Sequence, residues 1–277
     1  VFAEKVVTIA AKPIEGRGDM DMGLDGLRVL VTAGGAGIGL KVVEAFLREG
    51  ASVYTCDVDR TALDALAKAH PEVGQSVCDV SNREAVARLF DDAIRKLGGL
   101  DCLVNNAGIA GPTGPVHEIE PEDWDRCLEV CLTGQFNCTR LAVGHLRRSS
   151  NASIINLSSA AGRFGFPNRS PYSAAKWGVV GFTKTLSMEL GQYGIRCNAI
   201  LPGTVEGKRI REVIEAKAKI AGRSPADVQD DWLAKASIRE MIQPEQLADM
   251  MVFLASSRGR TVSGQGISID GDLQALL

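Results

Sequence analysis

Tyr172 and Lys176 stand four residues apart in a stretch of helical pattern, so their side chains share one helix face, one turn apart. An ammonium beside a phenol favours the phenolate and turns an inert hydroxyl into a candidate acid/base near neutral pH. Ser159 lies thirteen residues earlier, just past the apolar run Ser153-Ile154-Ile155. Open α/β sheets bind their ligands at that end of a strand, and a serine there can hydrogen-bond the oxygen of a carbonyl or an alcohol. Alone, a tyrosine and a lysine at helical spacing describe an ordinary amphipathic helix. The surrounding chain is what gives the pair a meaning.

Short apolar runs alternate with longer helical ones along the chain. The pattern predicts strands near 27–31, 52–56, 73–77, 100–104, 153–157, 195–201 and 266–269, with helices between them. One long helix is expected from Pro121 to Arg148, with Pro121 in its first turn. Helical segments at 207–221 and 225–237 read as an insertion spanning about 205–240. The alternation implies an α/β fold: a single-domain, doubly wound parallel sheet of Rossmann-like kind, with helices on both faces. That domain is expected over 24–277. Residues 1–23 are set apart as an N-terminal extension, either native or brought in with Ile14-Glu15-Gly16-Arg17, which reads like a protease-cleavage tag.

Composition excludes several classes. A net charge of −3 over 277 residues leaves no electrostatic footprint for nucleic acid or an anionic membrane. No apolar run approaches the roughly 18 residues that span a bilayer. The seven cysteines are odd in number, contain no Cys-x-x-Cys and fall within apolar patterns. Reduced thiols in a cytoplasmic protein explain them better than disulfides. Cys127, Cys131 and Cys138 are expected on one helix face, but no histidine joins them, and no metal site is assigned.

The segment from Thr32 to Gly39 follows a strand and opens a helix. Gly34, Gly35, Gly37 and Gly39, with Ile38, let the backbone turn tightly and approach a pyrophosphate at the helix N-terminus. Asp57, followed by Val58, ends the second strand 18 residues beyond Gly39. An acid there accepts both ribose hydroxyls and repels a 2′-phosphate, which favours NAD over NADP. Arg60 is close enough to keep NADP as the alternative.

Taken in order, these motifs resemble the short-chain dehydrogenase/reductase family over about Leu24 to Gly271. The resemblance rests on the glycine loop at 32–39, Asn105-Asn106-Ala107-Gly108, Ser159, Tyr172-x-x-x-Lys176 and Pro202-Gly203. It implies that Tyr172 exchanges a proton with the substrate oxygen, that Lys176 supports it and binds the nicotinamide ribose, and that Ser159 orients the substrate. It further implies adenine contacts from Asp79 and Val80, an adenosine wall from Asn106, Ala107 and Gly108, and a nicotinamide wall from Pro202, Gly203, Thr204 and Val205. Three positions depart from the family pattern. Ala33 replaces the first loop glycine, Gly207 stands where a threonine is usual, and Cys131 occupies the place of the family's catalytic asparagine. A thiol is a weak hydrogen bonder. Either a carbonyl and a repositioned water keep the proton relay working, or turnover is slowed. The intact Ser159, Tyr172 and Lys176 favour the first.

Arg163 and Arg209 are the candidate substrate contacts, with Arg169, Lys208 and Arg211 nearby, and they suit a carboxylate, sulfonate or phosphate. Phe164, Phe166 and Trp177 are candidates for an apolar wall, while Trp124, Phe136 and Trp232 are assigned to packing or subunit contact. The family resemblance also implies a homotetramer or homodimer. The expectation is therefore an NAD-dependent oxidoreductase interconverting a secondary alcohol and a ketone on a small polar, anionic substrate. The alternatives are an NADPH-dependent 3-oxoacyl reductase and a catalytically silent NAD-binding sensor or assembly protein.

Overall fold

A computed structural model describes residues 22–276. Of the segment set apart at the N-terminus, only Met22 and Gly23 fall within it; the rest, with Leu277, lies outside the described residues. Seven strands form, β1 (Arg28–Thr32), β2 (Ser52–Asp57), β3 (Gly74–Val77), β4 (Cys102–Asn105), β5 (Ser153–Leu157), β6 (Arg196–Pro202) and β7 (Gly266–Ile269). They make one sheet, parallel throughout, in the order β3-β2-β1-β4-β5-β6-β7. The reversal of order between β1 and β4 opens a crevice at the carboxyl ends of these strands, where such sheets hold ligands.

The central strands β4, β5 and β6 are buried along their whole length, as expected where helices cover both faces. Alternation along β1 divides the core. Val29 and Val31 pack with Val42 and Phe46 of α1 (Gly37–Arg48) and with Leu247 and Met251 of α9 (Pro244–Ala255). Leu30 points the other way, to Leu89 and Phe90 of α3 (Arg83–Leu97) and Leu146 of α5 (Gly134–Leu146). Leu186 of α6 (Ser170–Leu190) completes that layer.

Local chemistry sets the helix ends. Asp59 caps α2 (Arg60–Ala69) by accepting from the amides of Thr61 and Ala62. Asn82 caps α3 through the Ala85 amide, and Gly98 ends that helix at φ 74°. The 205–240 region forms α7 (Lys208–Ala221) and α8 (Pro225–Leu233), joined by a small core of Val213, Ile214, Val228 and Trp232 that also packs Phe166. The second of these helices stops short of the expected Ser237, because the chain turns to pair Ala236 with Leu273.

The single helix expected over 121–148 is interrupted. It runs as α4 (Pro121–Leu128), a π-helical turn over Glu129–Thr133, and then α5. The wider turn rotates everything after it, so the three cysteines do not share a face. Cys127 and Cys131 pack against Ala175 and Tyr172, while Cys138 joins the sheet core beside Cys56 and Cys78. All seven cysteines are buried and unpaired.

Gly34 shows how tightly β1 and α1 are joined. A Cβ there would sit 2.0 Å from Thr55 Oγ1 and 3.0 Å from Val43 Cγ2. Thr55 cannot swing away without losing its 2.7 Å hydrogen bond to the Val31 carbonyl. Gly34→Ala is expected to destabilise the fold by roughly 1–3 kcal/mol through overpacking. Urea denaturation measures this, and a midpoint equal to that of the parent chain would show that the contact yields.

Candidate active site

The loop after β1 is held from both sides. Thr32 Oγ1 accepts from the amides of Asn106 (3.0 Å) and Ala107 (2.9 Å), while Asn106 Nδ2 donates to the carbonyls of Thr32 (2.9 Å) and Ala33 (3.0 Å). Thr32 is buried by this clamp. Ala33, in place of a glycine, adopts φ 54°, in the left-handed region that costs a β-carbon-bearing residue about 1–2 kcal/mol. Its carbonyl lies 1.9 Å from where a Cβ on Gly39 would sit, so position 39 must be glycine.

At the start of α1 the N-cap is Ala36, which offers no side-chain cap, and the first turn carries no acid. Its first amides therefore keep their donor capacity for an anion and lie where Ala36, Gly37, Ile38 and Gly39 line a cavity. Gly37, at φ 55°, leaves open the space a Cβ would fill. Uncapped amides around open space suit a dinucleotide pyrophosphate. Asp57 stands beside them, its Oδ2 accepting from the Gly35 amide (3.0 Å) and its Oδ1 from the Asp59 amide (3.1 Å).

The same cavity, about 610 Å³, reaches from this cradle to the tyrosine. Its lining includes Gly37, Ile38, Gly39, Asp57, Val58, Asp79, Val80, Asn106, Ala107 and Gly108 at one end. Ser159, Tyr172, Lys176, Pro202, Gly203, Thr204, Val205 and Arg209 line the other. Gly34, Gly35 and Thr32 are not in its wall; they shape the loop behind it. At the adenosine end Asp79 is paired with Arg126 (2.6 Å) and bonded to Ser81. Burial pushes its carboxyl up, but the Ser81 hydrogen bonds and the Arg126 guanidinium outweigh this and hold it below the ordinary range. Arg126 was not anticipated; its only signal was a basic residue on the long helix.

The catalytic end is assembled by two elements that touch closely. Ser158 Oγ donates to the Lys176 carbonyl (2.8 Å), and Lys176 Nζ donates back to the Leu157 carbonyl (2.8 Å). Ser173 Oγ donates to the Ala161 carbonyl (3.0 Å). A Cβ on Gly162 would meet Ser158 Oγ at 2.4 Å and the Lys176 carbonyl oxygen at 2.6 Å, so only glycine allows this approach. Lys176 Nζ then lies 5.5 Å from the Tyr172 ring centre. Ser159 Oγ accepts from the Ala161 amide (3.1 Å), which leaves the hydroxyl proton for another acceptor.

Cys131 sits behind the lysine, on the π turn. Its Sγ is 3.4 Å from both the amide nitrogen and the carbonyl oxygen of Ile109. A Cβ on Gly108 would touch both Lys176 Nζ (3.5 Å) and Cys131 Sγ (3.6 Å), so these two groups flank one backbone position. A hydrogen bond from the Cys127 thiol, the Lys176 ammonium and the Ile109 amide together push the Cys131 thiol down to about 6, against the opposing effect of burial.

The two candidate substrate arginines part company. Arg209 lies in the cavity wall, its Nη2 donating to the Gly108 carbonyl (2.6 Å). Arg163 lies outside it, bound to Asp270 (3.1 Å), to Ser268 and to the Leu273 carbonyl, where it ties down the C-terminal segment. Of the aromatic candidates, Phe166 lines the cavity, Phe164 stacks under Arg163, and Trp177 is 51% exposed. Trp232 both packs and lines the wall. Arg169, the N-cap residue of α6, lines it as well. Among the described residues no cluster suited to a metal ion occurs, and no helix is long and apolar enough to cross a membrane.

An anion cradle joined to a supported phenol defines a nucleotide-dependent oxidoreductase. A family model described as enoyl-(acyl carrier protein) reductase matches residues 32–273. The 3-oxoacyl-acyl-carrier-protein reductase FabG of Thermotoga maritima is 34% identical over 91% of this chain and 99% of its own. The cis-4-hydroxycyclohexanecarboxylate dehydrogenase of Sinomonas cyclohexanicum is 35% identical over 89% of this chain and 96% of its own. The crystal structure of an NAD+-bound xylitol dehydrogenase superposes with a TM-score of 0.86 at 28% identity, covering 90% of this chain and 99% of that one. The chain belongs to the short-chain dehydrogenase/reductase family, as an NAD(P)-dependent enzyme acting on CH–OH groups.

Because a carbonyl and an amide already flank Cys131, an amide side chain there has partners waiting. Cys131→Asn is expected to leave kcat unchanged or higher in a steady-state assay of NADH formation. A clear fall in kcat would mean that the thiol contributes more than tolerance.

Proposed function

We propose that the chain is an NAD-dependent dehydrogenase that interconverts a secondary alcohol and a ketone on a small, polar, negatively charged substrate. The observation that carries this is the convergence of Ser159, Tyr172 and Lys176 on one cavity that continues to Asp57. The substrate oxygen is held by the hydroxyls of Ser159 and Tyr172. In the oxidising direction the alcohol gives its proton to the Tyr172 oxygen, and the Lys176 ammonium offsets the charge on the phenolate. NAD, when bound, supplies the hydride acceptor. The alternative of an NADPH-dependent 3-oxoacyl reductase draws on the similarity to FabG. Against it stands Asp57, whose carboxylate is fixed by two backbone amides at the position where a 2′-phosphate would be repelled.

The same proposal includes a homodimer or homotetramer. Phe136 on α5 and Trp177 and Met188 on α6 leave apolar surface exposed on neighbouring helices, which supports assembly there.

The reading is tested by following absorbance of reduced nicotinamide with NAD and a panel of hydroxy acids, sugar alcohols and aryl alcohols. Tyr172→Phe is expected to lower kcat by about 10²–10⁴-fold, the general acid/base contribution, while NAD binding stays as it was. Tight NAD binding with no turnover across the panel, unaltered by that substitution, would support the silent sensor instead. Asp57→Ser is expected to raise kcat/KM with NADP relative to NAD by about tenfold or more, since one removed charge repulsion of 1.4 kcal/mol is already a factor of ten. An unchanged cofactor ratio would remove Asp57 from the selectivity argument.

A further inference from the structure

Arg169 is the largest fully buried side chain among the described residues, at 2% exposure. A buried guanidinium needs acceptors, and the other buried arginine among the described residues, Arg196, has the carbonyls of Leu254, Gly259 and Ala255 and the side-chain oxygen of Asn151. The more exposed Arg28, Arg126, Arg163, Arg211 and Arg223 each have a carboxylate within ion-pair distance. Arg169 has none within ion-pair distance among the described residues. Its Nη2 donates to the Ala110 carbonyl, while Nε and Nη1 are enclosed with no acceptor. The guanidinium carbon lies 5.2 Å from the Tyr172 ring centre and 5.3 Å from the Phe166 ring centre, in the wall of the cavity.

More positive charge gathers here. Arg209 lies in the same wall, its Nη2 donating to the Gly108 carbonyl. Lys217 Nζ lies 4.3 Å from the Phe166 ring centre, on the ring that also faces Arg169. Burial, and then the charge of Arg169, push Lys217 down to about 8, and burial pushes Arg169 down too. A guanidinium in the wall with two N–H groups that have no acceptor is costly as it stands. A structural role as an anchor for Ala110 uses one N–H and leaves Nε and Nη1 idle. Nη1 belongs with Nη2 to the terminal edge of the guanidinium, one of the two edges that take a carboxylate bidentately.

We propose that Arg169 is the receptor for a carboxylate on the substrate, so that the enzyme acts on hydroxy and oxo acids whose carboxylate lies within a few bonds of the reacting carbon. This rests on the reading of Tyr172 as the acid/base, because the short separation of Arg169 from that ring sets how near the carboxylate must be. Phe166 and Trp232, whose rings meet edge to face at 6.0 Å, give the acid an apolar flank. The carboxylate supplies an acceptor that Nη1 lacks, and its charge balances a wall that carries no opposing acid on Arg169.

The test is calorimetric titration of the NADH-bound protein with 3-hydroxybutanoate, mandelate and 4-hydroxycyclohexanecarboxylate, each against its primary amide. At least one acid is expected to bind about 10²-fold more tightly than its amide, as for a site built around an unmet hydrogen-bonding group. Arg169→Gln should abolish that preference while leaving NADH affinity and amide binding unchanged, and Arg169→Lys should keep part of it. Circular dichroism confirms the fold of both variants, and the acid-to-amide comparison on the parent protein stands without either. Equal binding of every acid and its amide, or a preference that survives in Arg169→Gln, overturns the assignment. Acid-selective binding that depends on Arg169, without NADH formation in the oxidising direction, would support the anion site and count against the dehydrogenase reading.

Discussion

A buried ammonium must find acceptors, and the tyrosine end of the cavity is arranged around that requirement. Lys176 is almost wholly enclosed and donates to the carbonyl that ends β5. The next residue of that segment, Ser158, returns a hydrogen bond to the main chain of Lys176. Strand and helix are thus joined reciprocally, side chain to backbone in both directions. Gly162 is part of the same constraint, since any side chain there would force the two apart. Once this junction is made, Ser159 follows as the next residue of the loop, and Tyr172 lies one helical turn before the lysine. The catalytic geometry is therefore a consequence of how an unavoidable buried charge is satisfied.

The fold was readable in the sequence because the parallel sheet writes itself as short, wholly apolar runs between helical ones. Strands β5 and β7 have the expected limits. The cavity residues of the glycine loop, the second strand and the Asn-Ala-Gly turn could be named because backbone chemistry, and glycine above all, dictates them. The misses have a common cause. Arg163 and Arg169 look alike in the sequence, two arginines in one loop. Which of them enters the cavity depends on Asp270, a residue more than a hundred positions away that captures Arg163. The π turn at 129–133 was invisible for a similar reason: periodicity reports that a stretch is helical, not that one turn is wider. Single-turn π segments are frequent at functional sites, and this one delivers Cys131 to the lysine.

The departures from the family pattern have physical consequences that differ in kind. At position 33, alanine in the left-handed region stores a small strain, which the paired hydrogen bonds from Asn106 hold in place. At position 131 the exchange puts a thiol, which Cys127 and the Lys176 ammonium hold below its ordinary range, where the family pattern has an amide. The π turn begins two residues after Cys127 and keeps both thiols toward α6. Residue exchange and helix geometry are therefore coupled at this point.

Charge is unevenly distributed along the cavity, and that asymmetry bears on what can occupy it. At the adenosine end Asp57, Asp59 and Asp79 line the wall, with one cation, Arg126, engaged by Asp79. At the tyrosine end Lys176, Arg169 and Arg209 line the space, and each donates to a backbone carbonyl. The acids of that region, Glu206 and Glu212, are turned to Arg211 and Lys208 on the flank of α7. A neutral polyol would leave the positive end as costly as it is when empty of anions, whereas a carboxylate lowers that cost wherever it can reach the fork of Arg169. On the proposed reading the same gradient would draw the acid end of a substrate toward the arginines and leave a neutral carbinol toward Ser159 and Tyr172.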